Sequence, residues 1–258
     1  MRTFFHPTIA ILLGSALALS VVQARTALAD CRDLPSHADL QTALDDAVAA
    51  EMSGLDFDMW GTIVDRDGVV CAVAFSGGDR GDQWPGSRVI SAQKANTANA
   101  FSLDGLALST ANLYSAVQPG GSLYGLQHSN PVDTEVAYKG PSSNYGSHND
   151  PMVGEKIGGV NVFGGGLGLY LDDSIVGGVG VSGDTSCADH MIAWRVRNNL
   201  ELDQLLGVGG VSGDLNHPDN IIYDITPNPD GGTGVSAGGF GHPTCLNTGD
   251  EAQLPAVQ

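Results

Sequence analysis

Two apolar, β-branched runs, residues 59–64 (MWGTIV) and 69–75 (VVCAVAF), flank the tetrapeptide Asp65-Arg66-Asp67-Gly68. Four polar residues ending in glycine leave room only for a tight turn, so the runs must pair as an antiparallel hairpin. This constrains the fold more than any other feature, because a hairpin seeds an antiparallel sheet whose apolar face needs a cover. The turn shares its first residues with a calcium loop, but the later ligand positions and the closing glutamate are missing.

The cover is legible on both sides of the hairpin. Residues 37–52 (HADLQTALDDAVAAEM) place Leu40, Ala43, Leu44, Ala47 and Val48 on one helical face, with Ser36 in the N-cap position. Residues 87–103 (SRVISAQKANTANAFSL) predict a helix dense in small side chains, whose backbone can approach a partner closely. A shorter helix is expected over 109–117. Three short strands are expected over 158–163, 168–171 and 175–182, joined by Gly164-Gly165-Gly166 and by Asp172-Asp173. A last helix over 187–200 (CADHMIAWRVRNNL) offers Met191, Ala193, Trp194 and Val196 to a core. The order is helix, two strands, two helices, three strands, helix. It predicts an α+β fold with helices packed over an antiparallel sheet.

Two stretches stand outside this pattern. Residues 118–157 are rich in Gly, Pro, Ser and Asn, and a loop of that length inside a domain is usually functional or disordered. Residues 201–258 form a Gly-, Pro- and Asn-rich extension, expected to pack on the domain of residues 30–200. VGGVSGD at 208–214 echoes VGVSGD at 179–184, and one echo reads as shared turn chemistry.

The N-terminus predicts export. Arg2 precedes a charge-free apolar run over 9–22, and Ala27-Leu28-Ala29 supplies the small residues of a cleavage site before Asp30. The run is shorter than the roughly 20 residues of a spanning helix. Residues 1–29 are therefore expected to be a signal peptide, and the remainder periplasmic or extracellular with no membrane segment. Of 11 basic residues Arg2 and Arg25 leave with the signal, so nine face 29 acidic ones and the formal charge becomes −20. That charge repels nucleic acid and anionic lipid, which makes both poor partners, and by itself says nothing direct about chemistry. Four cysteines, Cys31, Cys71, Cys187 and Cys245, carry no CxxC spacing, and their even number predicts two disulfides. Cys187 starts the last helix and Cys245 lies in a tail that needs tethering, so the expected pairs are Cys187 with Cys245 and Cys31 with Cys71.

Three segments in this order resemble the GlcG/HbpS haem-binding protein family, which includes the C-terminal domain of PduO-type proteins. They are WGTIVDRDGVVCAVAFSGG (60–78), PGSRVISAQKANTANAFS (85–102) with its Lys94-Ala95-Asn96-Thr97-Ala98, and GGVNVFGGGLGLYLDDSIVGGVGVSGDTSCADHMIAWRV (158–196). The resemblance covers about 36–200. It implies a profilin-like α-β-α sandwich around a five-stranded antiparallel sheet, homo-oligomerisation, and haem binding in some members. Gly158-Gly159-Val160-Asn161 lacks the proline of the family's usual Gly-Gly-x-Pro, and the loop and tail exceed the compact family core.

Candidate ligands follow from haem chemistry, which uses His most often and Met, Cys or Tyr otherwise. His37, His128, His148, His190, His217 and His242 are available after the signal. A lone histidine is more often structural, but His148 sits late in the long loop beside Tyr145 and Met152, and His128 lies earlier in it. Lys94, in the matching Lys-Ala-x-Thr-Ala piece, could reach a propionate or form a buried or interfacial salt bridge. The candidate haem-binding set is therefore His148, Lys94, His128 and Tyr145. The candidate metal ligands are His148 and His190; Asp189 could orient His190, and Asp184 could join them. Arg195 and Arg197 are expected in helix-surface pairing or a subunit contact. No HExxH, GxSxG or Walker pattern occurs, GGGLG at 164–168 does not open a helix, and Ser182 lacks a nucleophile-elbow context. Binding of a small-molecule ligand is favoured over catalysis. The rivals are an enzyme using the loop as a pocket wall and a structural oligomer without ligand.

Overall fold

The computed structural model describes Met1 and residues 30–258; the expected signal peptide lies outside the described residues. Helix α1 (His37–Ala50) starts at a capping box in which the Ser36 hydroxyl accepts from the Asp39 amide and Asp39 reaches back to the Ser36 amide. Strands β1 (Trp60–Asp65) and β2 (Val70–Phe75) form the expected hairpin, and helix α2 (Ser87–Phe101) follows. Residues 109–117, expected as one helix, make two 3₁₀ turns, Ala111–Leu113 and Ser115–Val117. Two four-residue helical turns, α3 (Leu126–Ser129) and α4 (Thr134–Ala137), punctuate the long loop. Strands β3 (Gly166–Leu171) and β4 (Ser174–Ser182) and helix α5 (Ser186–Asn199) complete the core. Thr185 caps α5 by accepting from the Ala188 amide.

The four strands form one antiparallel sheet in the order β2-β1-β4-β3. Alternation along β1 sends Ile63 to one face, where it joins Leu40 and Leu44 of α1 and Met191 and Trp194 of α5. Trp60 and Val64 go to the other face, with Val89, Ala92 and Ala95 of α2. The α-β-α layering is therefore present, but the sheet has four strands and not the five expected.

The missing strand is 158–163. Gly158 and Gly159 hold φ of +61° and +76°, a left-handed conformation incompatible with an extended strand. Its polar groups bond to α2 side chains: the Gly159 carbonyl accepts from Asn96 Nδ2 at 2.9 Å, and the Asn161 amide donates to Thr97 Oγ1 at 3.0 Å. Side-chain partners have replaced a ladder.

Helix α2 lies against β3 and β4 at glycines. A Cβ at Gly180 would come 2.0 Å from the Ser91 carbonyl oxygen, and one at Gly178 2.3 Å from that of Ala95. The small residues of α2 and the glycines of β4 thus bring backbone to backbone. This depth carries Lys94 into the interior. The C-terminal segment adds Leu205, Val208, Ile221, Leu254 and Val257 to the core of α1 and α5, and a two-stranded ribbon pairs β5 (Ile225–Thr226) with β6 (Val235–Ser236). Both disulfides, Cys31–Cys71 and Cys187–Cys245, are formed. Among the described residues no helix is long and apolar enough to cross a membrane.

Candidate functional site

The long loop is docked by one buried cation. Arg88, in the first turn of α2, donates through Nε to Asp150 Oδ2 at 2.8 Å and through Nη1 to the Ala137 carbonyl at 2.8 Å; its Nη2 pairs with Asp150 Oδ1. Asp150 accepts from the Gly146 and Met152 amides at 2.7 and 2.9 Å. The Arg88 guanidinium also lies 3.6 Å from the Tyr145 ring centroid. Neither Arg88 nor Asp150 was among the candidates, since an Arg–Asp pair 62 residues apart leaves no mark in sequence. Outside this anchor His148 is exposed, with Asn149 Nδ2 2.9 Å from its Nε2. His128 is exposed on α3, and Tyr145 is half-buried. Tyr145 and His148 share one segment; among the described residues His128 makes no hydrogen bond or ring contact with either.

Lys94 takes the second of its two expected roles. Its Nζ is wholly buried, 2.6 Å from Asp189 Oδ2, and donates to the Val181 carbonyl at 2.9 Å. Phe163 covers it, with the ring centroid 4.5 Å away. Asp189 Oδ1 accepts the Gly183 and Asp184 amides at 3.0 and 2.9 Å, which fixes the turn between β4 and α5. Burial pushes the ammonium down and the carboxyl up, each toward its neutral form, and their attraction opposes both. Lys94 is an interior cation tying α2 to α5 and has no surface to offer a propionate. With Asp189 committed to Lys94, it does not orient His190.

His190 is fully buried. Its Nε2 lies 3.1 Å from Asn220 Oδ1, and the Ile221 amide donates to both, to Nε2 at 3.1 Å and to Asn220 Oδ1 at 2.9 Å. Nδ1 has no hydrogen-bond partner. Burial pulls the imidazole down to about 4. His190 thus serves the C-terminal segment and shares no partner with His148. Asp184 accepts the Leu55 and Phe57 amides instead of joining a metal set. Arg197, expected on the helix surface, is buried and forks onto Asp219 at 2.7 and 2.9 Å. Arg195 does make a pair, with Glu51 at 3.1 Å.

Among the described residues, two groups of three ligating side chains come within 4.8 Å of one another: Cys187, His242 and Cys245, and Cys31, Asp65 and Cys71. Each contains a disulfide, whose sulfurs are not thiolates. His242 was no candidate, and its nearness to Cys245 in sequence is the one signal that could have found it.

The family model described as "Haem degrading protein HbpS-like" matches residues 36–197. The chain belongs to this HbpS-like family. The HbpS-like span opens at the N-cap of α1 and closes in the last turn of α5, taking in the sheet, α2 and the long loop. Cys31, His242 and Cys245 lie outside it. The solved structures similar to the chain include Klebsiella pneumoniae protein ORFY, at 24% identity over 64% of this chain and 90% of that one, with a TM-score of 0.44. A PduOC:heme complex shares 25% identity over 64% of this chain and 94% of that one, with a TM-score of 0.44. A double mutant of HbpS from Streptomyces reticuli shares 15% over 75% and 99%, with a TM-score of 0.42. No curated protein matches the chain.

Proposed function

We propose that the protein is exported and binds haem or a related tetrapyrrole, with His148 facing the iron. The observation that carries this reading is the HbpS-like match, which runs through every element of the α-β-α core. The donor chemistry of the loop suits the group. An exposed imidazole sits on a loop anchored by the buried Arg88–Asp150 pair, which supports a site formed before ligand arrives. Ligation through Nε2 requires Asn149 to turn away. Tyr145, held under Arg88, flanks the site, and His128 is the second-choice ligand. Exposed Lys139, paired with Glu155, and exposed Lys156 belong to the same loop, and they replace Lys94 as partners for propionates. The bound group supplies the iron and its redox chemistry; the chain holds and orients it. Homo-oligomerisation is part of the same reading.

Haemin titrated into the signal-free protein should give a Soret band displaced from that of free haemin and saturating near one per chain. His148→Ala should weaken binding and shift the band, because the imidazole that would hold the iron is lost. Its effect on stability should stay within about 0.5 kcal/mol, as for other surface substitutions. An unchanged affinity and spectrum in this variant would remove the loop from the ligand role and leave His128 to be tested. No spectral change in the parent protein would favour a structural oligomer. Decay of the band with release of iron under a reductant and oxygen would instead support the degradation named in the family's description.

A further inference from the structure

The α5 N-terminus holds a second constellation, built by the C-terminal extension and lying partly outside the HbpS-like span. Cys187 is the second residue of α5 and is buried; Cys245 is half-buried; His242 is 1% exposed. Their two sulfurs and one imidazole nitrogen lie within 4.8 Å of one another. The orientation of His242 is the second observation. Its Nδ1 lies 2.7 Å from the Pro243 carbonyl, which can only accept, so Nδ1 carries the proton and Nε2 the lone pair. Nε2 points toward Ser186 Oγ at 3.0 Å, which is itself 3.6 Å from Cys245 Sγ. An N–H donated to a backbone carbonyl is how metal-ligating imidazoles are held. The Cys187 amide donates to Cys245 Sγ at 3.2 Å, and this donor at a helix N-terminus favours a thiolate there.

We propose that reduction of the Cys187–Cys245 bond turns Cys187, Cys245 and His242 into a site for a borderline-soft divalent cation of the zinc class. The disulfide keeps this site closed. A dithiol reductant attacks one sulfur, the S–S bond breaks, and a second attack within the reductant releases both thiols and leaves the reductant as its own disulfide. The cation then displaces one proton from each thiol, and His242 Nε2 supplies the third ligand.

The spacing suits this change. The two Cα atoms are 6.0 Å apart. Zn–S bonds of about 2.3 Å in a tetrahedron separate two sulfurs by about 3.8 Å, which side-chain rotation supplies once the covalent bond is gone. Two thiolates and an imidazole balance a divalent charge and leave a fourth position for water or Ser186. A cavity of about 200 Å³ lined by His242, Tyr223, Pro243 and Thr244 lies on the His242 side of the cluster. Folding does not depend on this bridge alone, because Arg197–Asp219 and the Trp194 Nε1 bond to the Pro255 carbonyl also hold the extension.

The test uses the full mature chain, reduced with a dithiol, freed of reductant without oxygen and titrated with Co(II), then Zn(II). A thiolate-to-Co(II) charge-transfer band should appear at one ion per chain, be bleached by Zn(II), and be missing from oxidised protein. His242→Ala should weaken binding about tenfold or more. Cys187→Ser/Cys245→Ser should abolish the band, whereas Cys31→Ala/Cys71→Ala should keep it. An absent band overturns the proposal, and so does a band that survives Cys187→Ser/Cys245→Ser. Unchanged affinity in both His242→Ala and His242→Gln would exclude the imidazole. Near-ultraviolet circular dichroism of the reduced, metal-free chain must remain native, because loss of the fold before metal removes the preformed cluster and with it the proposal.

Discussion

Truncating Lys94 would leave Asp189 as a buried carboxylate without its counter-charge. Lys94→Ala should therefore cost about 3–5 kcal/mol in urea unfolding, and Lys94→Met with Asp189→Leu should cost less, because neither charge is then stranded. A loss below about 1 kcal/mol for the single variant would contradict the interior ion pair. His190 makes stability depend on pH. Its folded value of about 4 lies below the ordinary 6.5, so the unfolded chain binds the extra proton. Stability is complete above about 6.5, falls as pH drops through the window, and levels off beneath about 4, a total near 3 kcal/mol. Burial sets the size of the effect; of the facing groups, Asp219 and Asn220 favour the proton, while Arg197 and His242 oppose it. His190→Gln should flatten the loss between pH 7 and 4 by that amount relative to the parent. Parallel curves would assign the acid sensitivity elsewhere, with His242, also near 4, the next to test.

At the scale of elements, the contact that positions everything else is α2 on the glycines of β4. Gly180→Ala would push a methyl into the Ser91 carbonyl and the Ala95 amide, 2.0 and 2.5 Å from its Cβ. Those are backbone atoms and cannot rotate aside, so the helix must shift. The expected cost is at least about 2 kcal/mol, with the Lys94–Asp189 pair disturbed as well, measurable as a lower urea midpoint at unchanged slope. Neutral behaviour would mean that the helix does not lie this close. The small-residue composition of α2 announced the close approach but not which strand it met. The hairpin, α1 with its Ser36 cap, and α5 were legible because their periodicity is local. Residues 158–163 read as a strand on composition, yet consecutive left-handed glycines and the α2 side chains Asn96 and Thr97 draw them out of the sheet.

At the scale of the whole molecule, two covalent ties and three buried ion pairs among the described residues join segments far apart in the chain. One measurement addresses both processing and the bridges. The intact mass of protein recovered from an exporting host, without reductant, should correspond to a chain starting at Asp30 and lacking four hydrogens relative to the reduced form. Retention of Arg2 would refute the signal peptide, and a mass only two hydrogens short would remove one bridge. Cysteine number and placement suggested these bonds because an even count in an exported chain has few alternatives. Periodicity, capping and turn chemistry also came from sequence alone: they specified the α+β class, the hairpin and the helices, since each depends on neighbours within a few residues. The tertiary structure alone decided what the charges do. Burial turned Lys94 into a partner for Asp189, Arg88 into the anchor of the long loop and Arg197 into a tie for the C-terminal extension. It also placed His242 beside a disulfide. The three ion pairs join residues from 22 to 95 positions apart, and only the packed chain fixes which of them meet out of water.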